Sequence, residues 1–123
     1  MENIQNNHNQ NLSGQLNLYA ALSIFVNKAP WLIENIRQAA ADEDMNLLEE
    51  YATRLIVYSN NARLDGFTQR IKNVIIAARE NKIHAAKTIC SSLTESFEKM
   101  TQIVSMPVWS TQILYTFYSA SMR

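Results

Sequence analysis

The sequence of 123 residues contains only two glycines and two prolines. Because β-sheets need frequent Gly, Pro, Asn or Asp at their turns, a chain so poor in glycine and proline favours long helices with few connections. Its length is that of one domain with a single buried core. We therefore expect an all-α fold, an antiparallel up-down four-helix bundle, since short connections force neighbouring helices antiparallel.

Apolar residues recur at steps of three and four in each predicted helix, which is the pattern of a helix with one buried face. In the first helical region they are Leu16, Tyr19, Leu22, Phe25, Val26, Ile33, Ile36 and Ala40. In the central stretch, residues 44–64, they are Leu48, Tyr51, Ala52, Leu55, Ser59 and Ala62. In the third helix they are Phe67, Ile71, Val74, Ile75 and Ala78. In the fourth they are Ile83, Ala86, Ile89, Cys90, Leu93, Phe97, Met100 and Val104.

The composition divides the chain into three parts. Residues 1–12 are rich in Asn and Gln and predict a flexible polar leader. Residues 13–105 carry the bundle, which begins with an N-terminal helical segment. Pro30 either opens a second segment capped by Asn27 or kinks one long helix. Gly66 lies in a turn, near the start of the third helix, or inside a helix that runs past it.

Residues 106–123 form an aromatic C-terminal extension with more apolar surface than an exposed helix should carry. We expect it to be helical and packed on the flank of the bundle. The alternative is a surface for homo-oligomerisation or for a partner, with Trp109, Ile113 and Phe117 as candidate interface residues.

The charge balance and the single cysteine limit the classes of function. Eleven basic and eleven acidic residues give no field that would favour nucleic acid or an acidic membrane. No apolar run approaches the roughly 18 residues of a membrane span, and no secretory signal is visible near the start. Cys90 cannot form an intrachain disulfide, which fits a reducing compartment. We therefore expect a cytoplasmic protein.

Residues that could support catalysis are scarce. His8 and His84 have no ligand pattern around them, so we expect no metal. Two glycines cannot build a phosphate-binding loop, and we expect no cofactor. Cys90 falls on the apolar face of the fourth helix and is interpreted as an inert core cysteine. The sequence therefore predicts a protein that is not an enzyme.

A second stripe on the central helix has an unusual composition for a solvent face. Its members are Thr53, Ile56, Val57 and Asn60. Two bulky β-branched residues stand side by side where an amphipathic helix would carry charge. Arg54, Arg63 and Arg70 are expected to form a polar rim around this stripe, as at protein interfaces. Either the ends of the chain or another protein should cover Ile56 and Val57.

Residues 25–100 resemble a histidine-containing phosphotransfer (HPt) domain. The first helix of such domains carries F-x-x-x-A-P-x-x-L-x-x-I/L-x-x-A, which Phe25, Ala29-Pro30, Ile36 and Ala39 match, with Ile33 in place of the leucine. An acidic turn follows at residues 42–44. The pattern A-A-R-x-G-x-x-x-A-A corresponds to residues 77–86, with Asn81 in place of the glycine. Phe97-Glu98 matches the closing L-x-x-x-F-E.

The sequence departs from this pattern at the positions that carry the phosphotransfer chemistry of the family. Its motif H-x-L-K-G-S corresponds to residues 53–58, so that Thr53 replaces the phosphorylated histidine. Ile56 replaces the lysine, and Val57 replaces the glycine after it. A hydroxyl lacks the imidazole nitrogen that accepts a phosphoryl group near neutral pH. The chain thus resembles a degenerate member of the family, a pseudo-HPt domain.

The resemblance implies a non-catalytic protein-binding module, an adaptor or inhibitor in bacterial-type two-component or related signalling. Its partner would be a response-regulator receiver domain, a histidine kinase or another regulatory protein. One alternative is a phosphorelay carrier that uses His84 or Thr53 as a non-standard acceptor. Another is a structural or oligomeric helical subunit.

Overall fold

The computed structural model describes the backbone of residues 2–104 and the side chains of residues 17–102. Its four helices are α1 (Glu2–Ala41), α2 (Met45–Asn61), α3 (Asp65–Arg79) and α4 (Ile83–Val104). α1 and α3 each contact both α2 and α4. The predicted all-helical fold is confirmed, since residues 2–104 contain no strand, and these contacts are consistent with a four-helix bundle. The extension at residues 106–123 lies outside the described residues.

α1 is one continuous helix that passes through Pro30. Of the two alternatives at this proline, the long helix is therefore correct, and Asn27 is an exposed residue inside it rather than a cap. Proline inside a helix costs about 3 kcal/mol. Burial of Ala29 and Ile36, one on each side of the proline, offsets this cost. From Glu2 onward, the range predicted as a polar leader is also part of this helix.

The core lies where the helical periodicity predicts it. Its centre contains three phenylalanine rings: Phe25 of α1 lies 5.7 Å from Phe67 of α3 and 6.2 Å from Phe97 of α4, between ring centroids. Tyr19 is an exception, because it belongs to the predicted apolar stripe of α1 but is 50% exposed. None of the helices within residues 2–104 has the length and apolarity to cross a bilayer.

The three connections between helices share one conformation. Each is three residues long, and its middle residue has a left-handed backbone: Glu43 (φ 58°), Arg63 (φ 57°) and Asn81 (φ 54°). In each turn the following N–H donates to a carbonyl five residues back, at 2.9 to 3.0 Å. This is the Schellman motif, which usually has glycine at the left-handed position. None of these three positions is a glycine. Gly66 lies in the first turn of α3, so of the alternatives left open by the sequence, the position near the start of the third helix is the correct one.

The acidic turn between α1 and α2 makes side-chain hydrogen bonds to α2 and to α4. The Asp44 carboxylate accepts a hydrogen bond of 3.1 Å from the backbone N–H of Leu47 and so caps α2. The Lys87 ammonium on α4 donates to the Glu43 carboxylate at 2.7 Å. This hydrogen bond, aided by the lysine charge, holds the pKa of Glu43 below its ordinary value. The turn is thereby connected to α4 as well as to the two helices that it joins.

Candidate functional site

Val57 is the most exposed apolar residue of α2, with 55% of its surface accessible to solvent. Its neighbour Ile56 is half-buried and packs against the core. The two residues are 100° apart around the helix, so that Ile56 turns inward while Val57 turns outward. The predicted apolar pair is therefore only partly a surface feature, and Val57 is its exposed member.

On one side of Val57, a groove of about 600 Å³ lies between α1 and α2. The groove is lined by Asn27, Lys28, Trp31, Leu32, Arg54, Val57 and Tyr58. Trp31 is 58% exposed although it is the largest side chain of the set. A tryptophan and a valine that are both more than half exposed make this groove an apolar surface with a basic edge.

A series of aromatic and charged side-chain contacts holds one wall of this groove in place. The ring of Trp31 packs edge-to-face on Tyr51, with centroids 5.6 Å apart. The Arg54 guanidinium lies 5.5 Å from the centroid of the same tyrosine ring and also donates to the Glu50 carboxylate at 2.9 Å. Such edge-to-face and cation–π contacts orient the groups involved. Arg54 is therefore positioned as expected, beside the stripe, but its charge is largely balanced by Glu50.

On the other side of Val57, a smaller depression of about 260 Å³ lies between α2 and α3. Its lining residues are Ile56, Val57, Asn60, Asn61, Thr68 and Lys72. Asn60, predicted as part of the stripe, is exposed at its edge. Val57 thus stands between two depressions, and we refer to Val57 with the linings of both as the Val57 face.

Two lysines, one from α1 and one from α3, lie on the Val57 face. Lys28 lines the groove toward α1, and Lys72 lines the depression toward α3. Within the part of the chain whose side chains are described, neither has an ion-pair or hydrogen-bond partner. The nearest glutamates along α2 are already engaged, Glu49 by Arg79 and Glu50 by Arg54. Among the residues with described side chains, no carboxylate compensates the positive charge that Lys28 and Lys72 place around the apolar centre of the face.

Thr53 lies exposed on α2, one turn before Val57. Its hydroxyl donates to the backbone carbonyl of Glu49 at 2.7 Å, a bond that stays within the helix. No group of three His, Cys, Asp or Glu residues that could hold a metal occurs among the described residues. Among the described residues, no activating base is in hydrogen-bond contact with Thr53, and a threonine has no imidazole of its own.

Two of the predicted rim residues lie away from the Val57 face. Arg63 is the left-handed residue of the turn between α2 and α3. Arg70 is half-buried and donates to the Ser96 hydroxyl of α4 at 2.7 Å, so it lies on the α4 side of α3. Neither arginine lines either depression. The spacing along the chain could not tell which flank of α3 Arg70 would occupy.

Sequence reasoning missed the contribution of α1 to this face. Lys28 and Trp31 are three residues apart, a helical spacing that places them on one side of α1. That spacing is the available signal, but the interruption expected at Pro30 obscured it. Lys72 was not among the residues predicted to lie near Val57. Trp109, Ile113 and Phe117, the predicted interface of the extension, lie outside the described residues.

The two other candidate reactive residues lie apart from this face. Cys90 is buried on α4, and burial raises the pKa of its thiol to about 11. It is therefore a protonated core thiol at neutral pH, in agreement with its interpretation as an inert cysteine. His84 is exposed in the first turn of α4.

Comparisons of the chain with protein-family models, with curated proteins and with solved structures gave no match.

Proposed function

We propose that this chain is a non-catalytic, HPt-like protein-binding module, an adaptor or inhibitor in two-component or related signalling. It docks its partner on the Val57 face. The observation that carries the proposal is the exposure of Val57 between two depressions, at the position where the resemblance has the glycine of the phosphotransfer motif. Exposed apolar groups rimmed by charge are typical of interfaces between proteins.

The backbone offers two further points of support for an HPt-like, antiparallel up-down bundle. The three-residue turns join helices that contact each other in the cyclic order α1, α2, α3, α4. Asn81, which stands where the resemblance has a glycine, has a φ of 54°. Glycine reaches this conformation without steric cost, and asparagine tolerates it better than most residues.

The residues of α2 on and beside the Val57 face support binding over phosphotransfer. The Thr53 hydroxyl is bonded to the backbone of its own helix. At the lysine position of the motif, Ile56 is half-buried and brings no cation to a phosphoryl group. At the glycine position, Val57 adds a branched side chain that would keep an acidic receiver pocket at a distance. A face that retains the docking position but not its reactive groups suits an adaptor or an inhibitor.

The proposal is tested by titrating the full ¹⁵N-labelled chain with a panel of receiver domains and histidine-kinase dimerisation domains. We expect at least one to bind and to shift the amide signals of Trp31, Thr53 and Val57. Val57→Asp should weaken this binding by about tenfold or more, the effect of losing a central apolar contact. Ser92→Asp adds the same charge at an exposed position of α4 and serves as the matched control.

The control variant should bind like the wild type, and both variants should melt at nearly the wild-type temperature. The proposal fails if no domain of the panel binds. It also fails if the shifted signals map to another surface, or if Val57→Asp binds with unchanged affinity.

A further inference from the structure

The two unpaired lysines of the Val57 face indicate what kind of surface it accepts. Lys28 and Lys72 come from different helices and line the two depressions on opposite sides of Val57. We propose that the partner presents an acidic surface, in which carboxylates pair with Lys28 and Lys72 while an apolar centre covers Val57 and Trp31. This inference rests on the proposed function and adds the charge of the partner to it.

The carboxylates of the chain itself do not fill this role in the described structure. Glu49 and Glu50, the acidic residues of α2 nearest to the face, are paired with Arg79 and Arg54. Because the positive charge at Lys28 and Lys72 is left uncompensated, a partner with carboxylates at matching positions is favoured over a neutral or basic one. Charges at the edge of an interface act mainly on specificity and on the association rate.

The remaining segments of the chain are poor candidates for the occupant. Residues 105–123 contain no Asp or Glu and one basic residue, Arg123. Residues 1–16 contain a single acidic residue, Glu2. Neither segment contains the two acidic side chains that would pair with both lysines. The charge pattern therefore favours a separate partner over the ends of the chain.

A second copy of the chain is also disfavoured as the occupant. In a symmetric dimer the same patch contributes from both subunits. If two Val57 faces met in this way, the lysines of both copies would gather in one interface without counter-charges. Repulsion between like charges in an interface acts against such a pairing.

The test uses three synthetic helical peptides that share one stripe of Leu and Trp but have flanks of Glu, Gln or Lys. Each is titrated into the full-length, ¹⁵N-labelled chain at low and at physiological salt. We expect the Glu-flanked peptide to bind about tenfold more tightly than the Gln-flanked peptide, and the Lys-flanked peptide to bind most weakly. The preference should shrink as salt is added. The shifted signals should include Lys28, Trp31 and Val57.

Charge reversal provides the matched variants. The double variant Lys28→Glu, Lys72→Glu should invert the order of the peptides. Lys82→Glu with Lys99→Glu makes the same change in net charge at exposed positions beyond the Val57 face and should keep the wild-type order. Both double variants should give the helical circular-dichroism spectrum of the wild type, because all four lysines are exposed.

Each other outcome overturns the inference in a distinguishable way. Equal binding of the three peptides at the Val57 face would refute an acidic partner but would leave the proposed function intact. Absence of binding by the Glu-flanked peptide, or shifts on another surface, would refute the inference directly. If Trp109→Ala shifted the signals around Val57 without peptide, the extension would be the occupant. If dilution of the chain shifted the signals around Val57, a second copy of the chain would be the occupant.

Discussion

Ser59 of α2 and Thr68 of α3 share a buried hydrogen bond, with their hydroxyl oxygens 2.8 Å apart. The Ser59 hydroxyl also lies 3.2 Å from the carbonyl oxygen of Ile56, to which it can donate. Because a hydroxyl has one proton, both bonds can form at once only if Ser59 donates to Ile56 and accepts from Thr68. The two helices are thus joined by a directed polar contact at the Val57 face, because Thr68 also lines the depression between them.

The direction of this bond predicts unequal effects of the two deletions. Ser59→Ala leaves the Thr68 hydroxyl buried without its acceptor and should lower the free energy of unfolding by about 1–3 kcal/mol. Thr68→Val should cost less, because Ser59 keeps its bond to Ile56. Urea unfolding of both single variants and of the double variant measures the difference. A larger loss for Thr68→Val would reverse the assigned donor and acceptor.

Val57 and Ile56 should differ sharply in their response to a charge. Val57→Asp changes an exposed position and should alter the free energy of unfolding by no more than about 0.5 kcal/mol. Ile56→Asp removes a side chain that packs against the core and should cost about 2 kcal/mol. Chemical denaturation followed by circular dichroism measures both. Equal losses would mean that Val57 is covered in solution, and the Val57 face would then not be free to bind.

The chain should accept no phosphoryl group from a histidine kinase or from a small phosphodonor, because Thr53 lacks an imidazole. Thr53→His alone should not restore transfer, since Ile56 and Val57 still occupy the lysine and glycine positions of the motif. Adding Ile56→Lys and Val57→Gly to it should raise the yield. Acid-labile phosphate on the purified protein is the readout. Efficient transfer by the single variant would show that the two neighbours do not block the reaction.

Arg63 offers a test of the backbone strain in the turns. Its left-handed conformation costs a non-glycine residue about 1–2 kcal/mol, while glycine loses about 0.5–1 kcal/mol of chain entropy on folding. Arg63→Gly should therefore stabilise the protein by roughly 0.5–1 kcal/mol. Arg63→Ala, which retains the strain, is the control and should bring no gain. Asn81→Gly should gain less than Arg63→Gly, because asparagine tolerates this region.

Cys90 should make stability depend on pH in the alkaline range. Burial raises the pKa of its thiol from 9.0 to about 11, so the unfolded chain loses this proton at lower pH than the folded chain does. The protonated Cys90 thiol therefore contributes on the order of 2 kcal/mol to the free energy of unfolding. This contribution is fully present below pH 9 and is lost as the pH rises through 11. The difference in unfolding free energy between wild type and Cys90→Ala should shrink over this range. A difference that stayed constant would contradict the raised pKa.

The helical periodicity was enough to predict most of the core, because steps of three and four identify the buried side of a helix. Leu48, Leu55, Ile71 and Leu93 are all fully buried where that spacing puts them. Tyr19 fits the same spacing and is half exposed. Periodicity identifies one side of a helix but does not tell which residues along that side a neighbouring helix covers.

The Val57 face could be predicted only in part. Arg54, Ile56, Val57 and Asn60 follow from the pattern of a single helix. The contributions of Lys28 and Trp31 depend on which side of α1 meets α2, and that of Lys72 depends on the register between α2 and α3. Such relationships arise from packing between helices and are not written in the spacing along either one.

The two short turns that join α1, α2 and α3 have a consequence for the kinetics of binding. The Val57 face takes residues from α1, α2 and α3, and hydrogen-bonded turns of three residues hold these helices in place. Because these connections are short and hydrogen-bonded, the backbone of the face is preorganised. A partner therefore has little main-chain entropy to remove when it binds. Association should then proceed as the docking of nearly rigid bodies, with a rate governed by diffusion, orientation and electrostatic attraction. Substitutions at Val57 would accordingly change chiefly the lifetime of the complex.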